Sequence, residues 1–260
     1  MRIITLTTDF GTQDYYVGAM KGVVLAIDPR VHLVDLTHEL PAQDVLAAAF
    51  VLRHAARPFP SDTIHLAVVD PGVGSARRPL VVFDQRHYWV GPDNGLFSFA
   101  LEASHCEVYV IENAALTGGQ VSRTFHGRDI FAPVAAHLAA GVPLDEVGPA
   151  VEDPVRLEDV RPKCGEDGVE GRVIHVDRFG NLITNIAAEM VEHRGGEIGV
   201  QLGADVVIEK VSQTYADVKW GAVLALVGSA GLLEISVNGG SAAESLGVGR
   251  GEQVGVRFWR

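Results

Sequence analysis

The stretch Ile3-Ile4-Thr5-Leu6-Thr7, followed by Asp9-Phe10-Gly11-Thr12-Gln13-Asp14, reads as a strand that runs into a polar loop. Five apolar or β-branched residues in a row make a short buried strand. Val17, Met20, Val24 and Ile27 then recur at helical spacing until Asp28-Pro29, where proline ends the helix. Val31 to Leu36 returns to a strand pattern. Asp44 stands where a helix cap would stand, ahead of Val45, Ala49 and Leu52. Ile64 to Val69 and Leu80 to Phe83 are further strand-like runs. Such alternation predicts an α/β layer with a mostly parallel sheet over residues 1–151. Residues 152–168 are rich in proline, glycine and charge, with Pro154, Pro162, Gly165 and Gly168, and read as a linker. Beyond it come Val173–Val176, Val206–Ile208, Val223–Val227, Leu232–Val237 and Val254–Phe258, separated by glycine-rich turns. These predict a smaller all-β barrel or sandwich over residues 169–260.

The 260 residues suffice for one large and one small domain without disulfide staples. With 47% hydrophobic and 21% charged residues, global disorder is excluded. Acidic residues number 33 against 21 basic, and no basic tract exists, so binding to nucleic acid through phosphate neutralisation is disfavoured. Cys106 and Cys164 have neither disulfide-framework nor zinc spacing. The N-terminus enters a strand at once, without signal-peptide features, and no apolar run reaches the ~18 residues of a membrane span. A soluble cytoplasmic protein with no metal and no membrane partner is expected.

Chemistry-bearing residues fall into five clusters. Asp9 and Asp14, with Phe10 between them, sit where open α/β sheets bind ligands, at the carboxyl end of a strand. A carboxylate there can accept two hydrogen bonds from a ribose diol, although Asp14 could equally cap the following helix. Asp70-Pro71-Gly72-Val73-Gly74 follows the third strand, and Arg77 can meet Asp70 across the turn. It lacks the lysine and hydroxyl of a P-loop. Phe125-His126-Gly127-Arg128-Asp129 precedes the helical pattern Ile130 to Ala140 and exposes a histidine at a helix start. Asp177, Phe179 and Asn181 form the fourth cluster. Ser229, Asn238 and Gly239 belong to the fifth. Asparagine can read donor and acceptor edges, phenylalanine can stack on a flat ring, and glycine lets backbone approach one.

In this order the blocks resemble the S-adenosyl-L-methionine (SAM) hydroxide adenosyltransferases, SAM hydrolases that form adenosine and are similar to the adenosyl fluoride and chloride synthases. The resemblance runs from Thr8-Asp9-Phe10-Gly11 to the Asn238 region. It implies an N-terminal α/β domain, a C-terminal β-barrel, and a homotrimer with active sites between subunits. It places the catalytic set on Asp70, Arg77 and His126, and the ribose carboxylate on Asp9. Phe10, Asp14, Asn94, Phe125, Asp177, Phe179, Asn181, Ser229, Asn238 and Gly239 complete the expected substrate contacts. SAM is then the substrate, and no cofactor is implied. Ala230 stands where halide-using relatives carry arginine, Asp70 where they carry tyrosine, and Gly127 where they carry serine. The short Val82–Tyr88 connection lacks the insertion of the fluoride synthases. An ionised Asp70 beside the reacting carbon would repel a halide, so water is the expected nucleophile.

The expected reaction is attack of water at ribose C5′ as neutral methionine leaves. His126 and Arg77 would hold the water, with His126 the preferred base and Asp70 the orienter, since pairing with arginine favours the carboxylate's charged form. Three other readings remain open: a SAM or adenosine sensor without turnover, a halide synthase, and a metal-dependent phosphohydrolase built on Asp9, Asp70 and His126.

Overall fold

The computed structural model describes residues 2–158, 161–166, 168–192, 197–204 and 206–259. The chain forms two compact units, Met1–Glu158 and Asp159–Arg260.

The first unit is built from β1 (Ile3–Thr8), α1 (Tyr16–Ile27), β2 (His32–Thr37), α2 (Val45–Ala55), β3 (Ile64–Val68), β4 (Pro79–Phe83), β5 (Tyr88–Pro92), β6 (Glu107–Val110) and α3 (Ala132–Ala140). Its sheet has the order β2-β1-β3-β5-β4-β6. Side chains of β3 alternate between two cores, as pleating requires. Ile64, Leu66 and Val68 pack with Met20, Val24, Phe131, Val134 and Leu138 of the α1 and α3 side. Ala67, with Val69 just beyond the strand, packs with Ala48 and Leu52 of α2. Helices on both faces explain why every residue of β3 is buried. Asp44 does cap α2, accepting from Ala47 N at 3.0 Å.

The sheet is only partly parallel. β2, β1, β3 and β5 pair in parallel, but β4 runs antiparallel to both β5 and β6. The cause is a tight turn after β4: Asp84 accepts from Arg86 N and His87 N, and Gln85 takes φ 72°. A connection that short can join only antiparallel strands. Residues 153–157 are tied to this unit. Arg78 binds Asp93 and Asp153, Val155 N donates to Asp93, and Leu157 N donates to Ser98 Oγ.

The second unit contains β7 (Lys163–Cys164), β8 (Gly168–Val176), β9 (Leu182–Ala187), α4 (Ala188–Glu192), β10 (Glu197–Leu202), β11 (Val206–Ile208), β12 (Val211–Ser212), β13 (Val223–Val227), β14 (Leu232–Val237), α5 (Ala242–Leu246) and β15 (Gln253–Trp259). The strand path is β11-β10-β15-β8-β9-β14-β13-β12. The first half of β8 pairs with β15 and its second half with β9, so one long strand serves both walls. At the path's ends β11 approaches β13 and β10 approaches β12, so the sheet is nearly closed. Val169, Val173, Leu182, Leu233, Ile235 and Val256 fill it. A groove of about 920 Å³ between Val206–Ser212 and Val223 marks the incomplete closure. No helix among the described residues is long and apolar enough to cross a membrane.

Candidate active site

Asp70 leaves the carboxyl end of β3 and the chain turns back at once. Val73 N donates to Asp70 O, and Ser75 N to Gly72 O. Gly74 has φ +77°, and a Cβ there would lie 2.5 Å from Arg123 O. Glycine therefore lets this loop lie directly on the backbone of the segment leading to His126. Arg77 closes the loop. Its Nε lies 2.9 and 3.0 Å from the two Asp70 oxygens, and its Nη2 also binds Asp70 Oδ2. The remaining Nη2 proton faces His126 Nδ1 at 2.7 Å. The Phe131 ring lies under the guanidinium, 5.2 Å from its centre. The Arg77 and Asp70 side chains are only 9% and 4% exposed, so this ion pair is shielded from solvent.

His126 and Phe131 reach Arg77 from the two ends of one π-helical turn, Gly127–Phe131, which leads into α3. Single π turns recur at functional sites because they re-aim the side chains that flank them. Gly127 has little room, since a Cβ would lie 3.2 Å from Met20 Sδ and 3.5 Å from Phe125. The His126 pKa is lowered, first by burial and then by the Arg77 charge, while Asp70 and Asp129 pull the other way. Arginine has no acceptor, so Nδ1 of His126 must be the unprotonated nitrogen and Nε2 carries the proton.

Asp9 follows β1 and accepts from Gln43 N at 2.7 Å through Oδ2. Among the described residues Oδ1 takes no protein donor. Phe10 packs with Phe125 at 6.2 Å and Tyr16 at 5.8 Å, and Tyr16 meets Phe125 edge-on at 5.2 Å. Arg128 sits over the same Phe125 ring at 4.9 Å. The capping alternative for Asp14 fails: α1 begins after Tyr15, which carries no side-chain cap, and Asp14 is exposed one residue earlier. Asn94 donates to Val69 O and accepts from Leu96 N, so it braces the backbone just before Asp70.

In the second unit Asp177 organises its turn, accepting from Phe179 N, Asn181 N and Asn181 Nδ2, each at 2.9 Å. Phe179 projects from that turn 76% exposed. Ser229 is exposed on the Gly228–Gly231 turn. Asn238 Nδ2 donates to Val218 O, and Gly239 lies against Trp220, itself exposed. Sequence reading passed over several neighbours of these groups. Tyr215 bonds the buried Glu234 at 2.7 Å, and burial, then Glu234, push its phenol up to about 12. An acid inside the apolar run Leu232–Val237 was the available signal. No group of three or more metal-binding side chains gathers among the described residues.

Family models match both units. The SAM hydroxide adenosyltransferase N-terminal domain covers residues 4–148 and the corresponding C-terminal domain residues 171–255. A protein from Thermus thermophilus named (R)-S-adenosyl-L-methionine hydrolase is 44% identical, over 98% of this chain and 99% of its own. One of the same name from Salinispora tropica is 41% identical over 97% of each. A fluorinase from Actinoplanes is further away, at 32% over 80% of this chain and 79% of its own. The crystal structure of a conserved Thermotoga maritima protein superposes with a TM-score of 0.90 at 38% identity, covering 97% of this chain and 99% of that one. On these matches to both units, the chain belongs to the SAM hydroxide adenosyltransferase family.

Proposed function

We propose that the protein hydrolyses SAM, with water attacking ribose C5′ in line with the sulfur, to give adenosine and L-methionine. Relatives named as SAM hydrolases over nearly the full length support this activity, and the fluorinase match is more distant. The observation that carries the mechanism is one guanidinium, that of Arg77, gripping both Asp70 and His126.

The C5′–S bond breaks with its electron pair moving to sulfur, which becomes a neutral thioether. The C5′–O bond forms from water, and one water proton is released. No general acid is needed for the leaving group. His126, with its proton on Nε2, offers a donor to the water oxygen rather than a vacant base, because Nδ1 is engaged by Arg77. This reverses the division of labour expected from sequence. Asp70 is the remaining proton acceptor of the three, and acceptance can come late, once the attacking oxygen has become acidic. Both Asp70 oxygens hold Arg77, so fixed geometry rather than a strong base supplies the rate. Loss of the sulfonium charge in the transition state favours a water-poor site.

Asp9 holds the ribose diol, with Phe10, Asp14, Asn94 and Phe125 around it. Asp177, Phe179, Asn181, Ser229, Asn238 and Gly239 hold the methionine and adenine parts. The same reading includes a homotrimer with sites formed between subunits, acting in the cytoplasm without metal or cofactor. The test is incubation with SAM in chloride-free buffer made with oxygen-18 water, followed by mass spectrometry. Adenosine labelled at the 5′-hydroxyl, with equimolar methionine, is expected. Unchanged SAM, or unlabelled adenosine, would overturn the reaction.

A further inference from the structure

A chain of polar contacts from three elements, buried at its Thr8–His38 end, reaches the loop that carries Asp9. Lys21 Nζ, on α1, donates to Asp35 Oδ2 at 2.6 Å. Asp35, on β2, places Oδ1 3.1 Å from His38 Nε2. His38 Nδ1 lies 2.8 Å from Thr8 Oγ1, and Phe10 N donates to that same oxygen at 3.3 Å. Gly11 N donates to His38 O at 2.8 Å. Thr8 is fully buried and His38 is 4% exposed.

His38 Nε2 makes no hydrogen bond of its own, the Asp35 carboxylate lying beside it at 3.1 Å, so the Thr8–His38 contact can run in either direction. In both directions the Thr8 hydroxyl keeps a lone pair for Phe10 N–H. The residues on both sides of Asp9 are thereby fixed: Thr8 by its side chain, Phe10 and Gly11 by their backbone N–H groups. Asp9 itself is held through only one oxygen, by Gln43 N. A buried polar chain of this kind rigidifies what it touches.

We propose that Thr8 and His38 are positioning residues that aim the Asp9 carboxylate at the ribose diol, acting through the Asp9–Gly11 backbone. This rests on the reading of Asp9 as the ribose carboxylate. It adds that the diol contact depends on a hydroxyl and an imidazole that never touch substrate.

The test compares the dissociation constants of adenosine and 2′,3′-dideoxyadenosine, measured by calorimetry on the full-length protein. The dideoxyadenosine constant divided by the adenosine constant reads the diol contact alone. Asp9→Asn should lower the ratio by about 10-fold, the scale of hydrogen bonds to a charged acceptor. Thr8→Val keeps the branched shape but removes the hydroxyl, and should lower the ratio by roughly 5-fold or more. Thr8→Ser restores the hydroxyl and should keep the ratio within about 2-fold of the parent. The Thr8→Val/Asp9→Asn double variant should bind no worse than Asp9→Asn, because the two act through one contact. Equal weakening of both ligands by Thr8→Val, or full additivity in the double variant, would overturn the proposal. An unchanged ratio in Asp9→Asn would remove the ribose reading itself, and the proposal with it. If Thr8→Val does not fold, His38→Gln carries the same expectations and the same cycle with Asp9→Asn.

Discussion

Nη2 of Arg77 lies 2.7 Å from Nδ1 of His126, and this contact decides which ring nitrogen carries the proton. The same Nη2 binds Asp70 Oδ2 while Nε spans both carboxylate oxygens. Planar, multiply donating geometry is what lysine lacks. Arg77→Lys should therefore lower kcat by about 10²-fold or more while KM changes little. His126→Ala should do the same. Steady-state kinetics with SAM would check this, and near-parental turnover in both variants would remove the assignment.

The electrostatics of His126 predict the acid limb of the rate profile. Burial and the Arg77 charge depress its pKa below 6.5. The active neutral form therefore persists below the pH at which an ordinary histidine protonates. The midpoint of the acid limb of the kcat profile should lie below pH 6.5. Arg77→Gln removes the positive charge that depresses the pKa and frees Asp70, which raises it. The ring titration, followed by NMR, should then move upward. A downward or absent shift would show that Arg77 does not set the state of His126.

Much of this site is legible in the sequence because short loops carry it. Asp70 and Arg77 sit across one glycine-rich turn, so spacing alone puts them within reach of each other. The reversed strand β4 is not legible in the same way. Its neighbour β5 ends in Gly91-Pro92, which hides the strand, and the turn that forces antiparallel pairing depends on Asp84 folding back on Arg86 N and His87 N. The proton position on His126 also escapes sequence, because it depends on a contact 49 residues away along the chain. Likewise, the Thr8–His38 pair joins the end of β1 to the residue after β2, a match that only the folded sheet supplies.

His65 gives the fold a pH-dependent stability. Its ring is fully buried, stacked on Trp89 at 4.4 Å and hydrogen-bonded to Thr5. Burial, then the nearby His87, lower its pKa to about 3. The unfolded chain takes up this proton near pH 6.5, while the folded protein resists it until about 3. Stability is therefore complete above pH 6.5 and declines as pH falls, by roughly 2 kcal/mol at pH 5. Denaturant unfolding at pH 7 and pH 5 would measure it. His65→Asn should be less stable at pH 7 but show a smaller difference between the two pH values. An unchanged difference would assign the acid sensitivity to other groups.

Phe179 and Asp177 share a turn but should respond differently to truncation. Phe179 is exposed and belongs to none of the three hydrophobic cores, so Phe179→Ala should leave stability within about 0.5 kcal/mol of the parent. If its ring stacks on the substrate's flat base, the loss of about 1–3 kcal/mol of stacking should raise KM for SAM by roughly 5- to 150-fold. Asp177→Ala removes three hydrogen bonds that shape the turn. It should lower the melting temperature as well as raise KM. Thermal unfolding beside steady-state kinetics separates the two effects. A Phe179→Ala enzyme with parental KM would place the base elsewhere, whatever its stability.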